Sequence, residues 1–211
     1  MGVGKEILTE EERAAIQAVV AQVEKRTSGE VVPMIVGRSD SYPGVRWKCA
    51  LFVVFAWAAG IALVDPHFPV WLLALSLPVV SWGGYLLGAT GLAVRWFANP
   101  ETLKEEVHQR ALQAFLALDL SATKNRTGIL VFFSVLEHRV EVIADRGIHE
   151  KVGQEVWSVA VSGAIEKIRS KGLATAVIHA VEVCGGVLIQ HFPRRDGDQN
   201  EIPNRVIISP E

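Results

Sequence analysis

Two carboxylates and one hydroxyl lie at the ends of predicted strands, where they could bind a metal ion. Glu30 begins the first strand, Thr127 precedes the second, and Asp145 follows the third. If the first two strands are parallel and the third is antiparallel to them, these side chains gather at one end of the sheet. Oxygen ligands suit a hard divalent cation such as Ca²⁺, so Glu30 and Asp145 are the candidate metal ligands. The alternative is that Asp145 only begins a turn, with an ion pair on the surface.

A divalent cation at that end would favour a phosphatase, because a metal-held water can attack a phosphomonoester. Arg126 and Arg146 lie nearby in the sequence and could bind the phosphate. No side chain beside them is a convincing nucleophile, and the sequence holds no P-loop, dinucleotide fingerprint or Gly-x-Ser-x-Gly motif. A phosphatase-type hydrolase is therefore the alternative hypothesis and not the leading one.

The elements that would position these side chains follow the order helix, strand, apolar hairpin, helix, strand, strand, helix, helix. Thr9 with Glu12 forms a capping box before the first helix, and Asn99 begins the helix after the hairpin. The predicted strands are Glu30–Val36, residues 129–136 and Arg139–Ala144, and the last two helices cover residues 152–170 and 173–190. Pro33 indicates an edge or bulged position for the first strand. The order predicts an α/β fold, a small mixed β-sheet sandwiched by helices.

Two apolar runs, residues 49–64 and 68–94, contain no Asp, Glu, Lys or Arg, and only residues 65–67 separate them. Such a pair indicates a transmembrane hairpin of two helices. At 1.5 Å per residue the first run spans about 24–27 Å. The second run is longer, about 27 residues, and Pro78 should kink it or let it tilt. A buried hairpin in a soluble protein is the alternative, but so long an uncharged stretch exceeds most cores.

Aromatic and basic residues mark the two predicted membrane interfaces. Trp47, Lys48, Arg95 and Trp96 lie at the outer ends of the two runs, and Trp71 lies near the turn. The turn itself carries no Lys or Arg, so the positive-inside rule predicts that both termini are cytoplasmic. We therefore expect a two-helix protein of the cell inner membrane, with its folded domain in the cytoplasm.

Small residues recur at a spacing of four in both apolar runs. Ala56 and Gly60 lie in the first run, and Gly84 and Gly88 lie in the second. This spacing lets helices approach closely in lipid. The residues either pack the hairpin on itself or contact a partner, and the sequence favours neither interpretation.

The hairpin interrupts one domain. We predict that residues 1–44 and 97–193 form the two parts of that domain, residues 45–96 the transmembrane hairpin, and residues 194–211 a polar tail. In the tail, residues 196–200 look like the start of a calcium loop without its later Gly and Glu, which favours a solvated loop. The net charge of −2 offers no basic stripe, so we expect the lipid bilayer and integral membrane subunits as partners, and no nucleic acid.

The soluble segments resemble the TPM domain family, whose founders are a thylakoid-lumen protein, a photosystem-associated protein and a receptor modulator. The matching segments are residues 8–12, 27–32, 110–115, 126–131, 137–142 and 144–148. The chain is most similar to the bacterial membrane branch, in which a hairpin interrupts the domain. The resemblance implies an α/β/α sandwich. It also implies one of three roles, namely acid phosphatase activity, calcium binding or association with a membrane complex.

Residues 144–148 read Ala-Asp-Arg-Gly-Ile, where the longer branch of that family carries Gly-Tyr-Gly-Leu-Glu. Because no catalytic set is assembled there, the leading hypothesis is an accessory subunit without catalytic activity. Its hairpin would bind and stabilise a larger membrane protein complex, for instance a photosynthetic or respiratory one. The alternative is a membrane-tethered phosphatase that depends on a divalent metal, and no cofactor is certain.

Overall fold

A computed structural model describes residues 7–153, 155–195, 202–203 and 205–209. It divides into two compact units. Unit 1 comprises Met1–Ser39 and Glu105–Glu211, and unit 2 comprises Asp40–Lys104. Unit 2 is thus an insertion in the sequence of unit 1.

Unit 1 contains a mixed sheet of four strands, which are β1 (Glu30–Val36), β2 (Gly128–Ser134), β3 (Arg139–Ala144) and β4 (Ile207–Ser209). The strand order is β3-β2-β1-β4. β1 is parallel to β2 and to β4, and β2 is antiparallel to β3. The predicted α/β class is confirmed, as are the directions of the first three strands.

Helices cover both faces of this sheet. The helices of the described chain are α1 (Glu10–Glu24), α2 (Pro43–Val64), α3 (Val70–Leu87), α4 (Gly91–Phe97), α5 (Pro100–Ala117), α6 (Arg146–His149), α7 (Glu155–Lys171) and α8 (Leu173–His191). One core cluster joins α1, α7 and α8 to Val31, Ile129 and Phe133 of the sheet. A second cluster joins α5 to Val32, Leu130 and Phe132 on the opposite face. Side chains alternate between faces along a strand, so the continuous apolar run of β2 fills both cores.

The capping signals in the sequence are confirmed. The Thr9 side chain accepts from the Glu12 amide at 3.2 Å, and Glu12 in turn accepts from the Thr9 amide at 2.8 Å. Asn99 accepts from the Glu101 amide at 3.1 Å before α5. These bonds satisfy backbone donors that a helix start leaves without partners, so they fix where α1 and α5 begin.

The tail and β1 differ from the prediction. Ile207–Ser209 forms β4 and pairs with Met34–Val36, so part of the tail belongs to the sheet. β1 is therefore a central strand and not the edge that Pro33 indicates. The proline is tolerated because the β4 ladder begins only at Met34, and Pro33 itself pairs only with Val131 of β2.

Unit 2 contains the two long apolar helices, and their lengths reverse the prediction. α2 begins at Pro43, six residues before the apolar run, and has 22 residues. α3 has 18 residues and ends at Leu87, because Thr90 caps a separate helix, α4. Arg95 and Trp96 therefore lie on α4 and not at the end of the second long helix. Pro78 lies inside α3, as predicted.

Candidate functional site

The structure brings the predicted metal-binding residues to one end of the sheet. Glu30 is paired with Gly128, and its amide donates to the Thr127 carbonyl at 3.1 Å. The Asp145 amide donates to the Gly128 carbonyl at 2.9 Å. Glu30, Thr127 and Asp145 are all buried. The predicted meeting of these three positions is confirmed at the level of the backbone.

Their side chains serve local structure. One oxygen of Asp145 accepts from the Arg146 amide at 2.6 Å and caps α6, while Thr127 donates to the Ser28 carbonyl at 3.0 Å. Arg146 and Glu150 form an exposed ion pair at 3.0 Å, as the turn interpretation of Asp145 expects. Within the described ranges, no three His, Cys, Asp or Glu side chains gather as metal ligands. Glu30 and Asp145 stay candidate ligands as two carboxylates beside one hydroxyl, and residues 196–200 lie outside the described ranges.

A second buried carboxyl group lies beside Glu30, and the sequence analysis missed it. Glu24, in the last turn of α1, accepts from the Val31 amide at 3.1 Å. Burial raises the pKa of Glu24 from 4.5 to about 8, the Val31 hydrogen bond opposes that rise, and Glu30 adds to it. Glu24 is therefore protonated at neutral pH. The sequence signal that could have indicated this burial is the position of Glu24, four residues after Val20 on the apolar face of the helix.

Other titratable side chains are dispersed. His108 of α5 contacts Glu141 of β3, and His149 is exposed in α6. Cys184 is fully buried in α8, and burial raises the pKa of its thiol to about 12. At neutral pH that thiol is protonated, so it is a packing residue and not a ligand or nucleophile.

Gly84 and Gly88 pack the hairpin of unit 2 on itself. A Cβ added to Gly84 would lie 2.8 Å from Cα of Ala50, and one added to Gly88 would lie 2.5 Å from Cα of Arg46. No side chain larger than hydrogen fits at either place without movement of the α2 backbone. For these two glycines the structure therefore favours packing within the hairpin.

Ala56 and Gly60 lie on an open surface. Nothing would come within 4 Å of a Cβ on Gly60. Both residues line an apolar groove of about 370 Å³ near the turn, together with Trp57, Ile61, Val64, Asp65 and Phe68. The groove is open at the surface of unit 2.

One hydrogen bond crosses the middle of the hairpin. Trp57 Nε1 donates to Ser76 Oγ at 3.0 Å, and Ser76 Oγ donates to the Leu73 carbonyl at 2.7 Å. An indole donor in an apolar surface needs such a partner. The bond joins α2 to α3 near the middle of the hairpin.

The predicted interface residues are exposed aromatic and basic groups. Trp47 is 59% exposed, Trp71 is 68% exposed and Trp96 is 84% exposed. Trp47 packs against Tyr85 with ring centres 5.1 Å apart, and Lys48 Nζ lies 3.5 Å from the Phe97 carbonyl. Trp47, Lys48, Arg95 and Trp96 thus lie on the α4 side of unit 2, and Trp71 follows the turn.

Comparison with known proteins gives one structural likeness. The chain is similar to BA42 protein from the psychrophilic bacterium Bizionia argentinensis sp. nov., solved by NMR, with a TM-score of 0.63 and 19% identity. The alignment covers 99% of this chain and 100% of that chain, and at this identity it shows the fold alone. No protein-family model and no curated protein matches the chain.

Proposed function

We propose that this chain is a membrane-anchored accessory protein with a TPM-like domain. The α2–α3 hairpin crosses the inner membrane and binds a larger membrane protein complex, which the domain of unit 1 helps to stabilise. The observation that carries the proposal is the contrast between two pairs of small residues. Gly84 and Gly88 are used inside the hairpin, whereas Ala56 and Gly60 line an open apolar groove.

Length and exposure support the membrane assignment of α2 and α3. At 1.5 Å per residue these helices span about 33 and 27 Å, close to the hydrocarbon thickness of about 30 Å. Only 11% of the most apolar stretch of α2 is buried, and 6% of that of α3. Such exposed apolar helices need lipid or protein around them.

α8 is also long and apolar, but its surroundings are different. In its most apolar stretch 39% of the residues are buried, and Ala180, Cys184 and Leu188 contribute to the core beneath the sheet. We therefore assign α8 to the folded domain and assign only α2 and α3 to the bilayer.

The groove supports a partner helix and not lipid alone. Its floor of Ala56 and Gly60 lets another backbone approach closely, and Trp57 and Phe68 offer large side chains at its walls. The groove lies near the turn at residues 65–67, so the partner helix extends to the side of the membrane on which that turn lies. A subunit of a photosynthetic or respiratory complex has transmembrane helices of this kind.

Replacing Gly60 with leucine should remove the partner while leaving the hairpin folded. The leucine enters the groove, and the first atom of its side chain is accommodated because nothing lies within 4 Å of an added Cβ. The measurement is affinity purification from native membranes in a gentle detergent, followed by mass spectrometry. Gly83→Leu is the matched control, since Gly83 is equally open. A wild-type chain that runs alone, or a Gly60→Leu chain that retains every partner, would contradict the proposal.

Protease should reach the C-terminal part of unit 1 only from the cytoplasmic side. Arg46 and Lys48 lie near the start of α2, and Arg95 lies on α4 after α3, whereas residues 65–67 carry no Lys or Arg. We expect a C-terminal epitope to survive trypsin added to intact spheroplasts and to be lost in inverted vesicles. An engineered trypsin site in residues 65–67 is the control and should be cut in spheroplasts. Digestion of the epitope in intact spheroplasts would show that the C-terminal part of unit 1 faces outwards, contrary to the proposal.

A further inference from the structure

The short helix α4 of unit 2 lies beside the first turns of α2. A Cβ added to Gly88, just before α4, would lie 2.5 Å from Cα of Arg46. At the other end of α4, the ring centre of Phe97 lies 5.6 Å from that of Phe52. Arg46 and Phe52 are about 9 Å apart along α2, at 1.5 Å per residue. The α4 helix therefore lies at the level where the apolar run of α2 begins.

One side of α4 is buried and another is open. Ala93 and Val94 are buried, whereas Leu92 is 70% exposed and Trp96 is 84% exposed. Leu92 and Trp96 are four residues apart, so they are neighbours on the same side of the helix. Large apolar side chains on one open helix face, with a tryptophan among them, are typical of a helix at a membrane interface.

Two basic side chains lie at the last turn of α4. Arg95 is exposed on that turn. Lys48 of α2 is also exposed, and its Nζ lies 3.5 Å from the Phe97 carbonyl. The two cationic groups thus accompany the open apolar side chains of the same short helix.

The charge at this end of unit 2 is positive. Residues 40–52 and 88–104 contain four basic residues and two acidic ones, Asp40 and Glu101. Asp40 accepts from the Tyr42 amide at 2.7 Å. The third acidic residue of unit 2, Asp65, follows the end of α2, about 25 Å from Lys48 at 1.5 Å per residue. An excess of positive charge favours an anionic partner over a neutral one.

We propose that the α4 surface, formed by Leu92, Arg95, Trp96 and Lys48, binds an anionic phospholipid. The two cationic side chains contact the charged headgroup, and Leu92 and Trp96 lie against the upper part of the acyl chains. A zwitterionic lipid offers the same chains without net charge, so it binds this surface more weakly. The inference rests on the proposed membrane role of α2 and α3, and it adds the class of lipid that the α4 end selects.

The test uses the full chain in maltoside micelles that contain equal amounts of phosphatidylglycerol and phosphatidylcholine with identical acyl chains. Native mass spectrometry counts the molecules of each lipid that stay bound. We expect phosphatidylglycerol in about fivefold excess or more, because each basic residue near an anionic lipid contributes about a fivefold preference. Lys48→Gln with Arg95→Gln should bring the ratio close to one, while glutamine keeps a donor for the Phe97 carbonyl.

Arg169→Gln with Lys171→Gln is the matched control, since it removes two exposed charges from α7 and should keep the wild-type ratio. Equal binding of the two lipids by the wild type, or an unchanged preference in the Lys48/Arg95 variant, would overturn the inference and leave the membrane role intact. Sedimentation without detergent tests that role separately. A chain that stays in the supernatant would overturn both.

Discussion

Replacing Gly84 with valine should separate α2 from α3, whereas the same replacement at Gly83 should leave the hairpin intact. The added Cβ at Gly84 would lie 2.8 Å from Cα of Ala50 and 3.3 Å from the carbonyl oxygen of Cys49. Both obstacles are backbone atoms of α2, which no rotamer change can move. Overpacking of this kind costs about 1–3 kcal/mol, and the upper part of that range is expected here.

Gly83 is a matched control because it differs from Gly84 only in its packing: an added Cβ at Gly84 meets the α2 backbone, and one at Gly83 does not. A Cβ on Gly83 has nothing within 4 Å, and both residues lie in α3. The change in helix propensity is the same for both, so it cancels in the difference. The probe is tryptophan fluorescence during transfer from maltoside to dodecyl sulfate, since five of the six tryptophans lie in unit 2. Equal midpoints for the two variants would show that the close helix contact is wrong.

Replacing Glu24 with glutamine should stabilise unit 1 at alkaline pH and remove most of the stability loss that occurs between pH 4.5 and about 8. The pKa of Glu24 rises from 4.5 to about 8 in the folded chain. Between those values the folded state holds a proton that the unfolded state releases. Stability is therefore fully present below about pH 4.5 and falls as the pH rises towards 8, by about 1.4 kcal/mol for each pH unit.

Glutamine imitates the protonated carboxyl group. Its amide oxygen can still accept from the Val31 amide, and its NH₂ group can donate to Glu30. Thermal unfolding by circular dichroism from pH 5 to 9 should give converging curves for the wild type and the variant at low pH and a gap at high pH. Glu11→Gln, at an exposed position of the same helix, should keep the wild-type slope. A wild-type stability that is constant over this range would contradict the buried carboxyl pair.

Most of unit 1 could be predicted because its local signals agree with its packing. β1 and β3 have the predicted bounds, and the caps at Thr9 and Asn99 begin the expected helices. β4 was missed because three residues with one partner strand carry no periodic pattern of their own. Its existence depends on Met34–Val36 offering an open edge, which is a tertiary property.

The helix lengths in unit 2 were wrong because apolar composition and helix boundaries are different signals. Pro43 at the first turn extends α2 beyond its apolar run through Arg46 and Lys48. Thr90 accepts from the Ala93 amide and begins a new helix inside the second run. Apolar composition alone does not reveal a helix cap inside an apolar run, so the break between α3 and α4 was not predicted.

In the candidate sites, too, features set by strand pairing could be predicted, whereas features set by the packing of distant segments could not. Strand directions were enough to bring Glu30 and Asp145 to one end, because backbone pairing determines that meeting. The approach of Glu24 to Val31 and the bridge from Thr27 to Pro193 each required the docking of a helix or a distant segment. The membrane role and the TPM resemblance remain predictions.

The pairing of β1 with β2 also sets an order of events during synthesis. Glu30 and Gly128 are partners, yet the whole of the hairpin is translated between them. β1 must therefore wait, without its neighbour, until both apolar helices have left the ribosome. Contacts separated by about a hundred residues form slowly in any case. A ribosome stalled after α3 would therefore present a chain in which α2 and α3 are complete but β1 has no neighbouring strand.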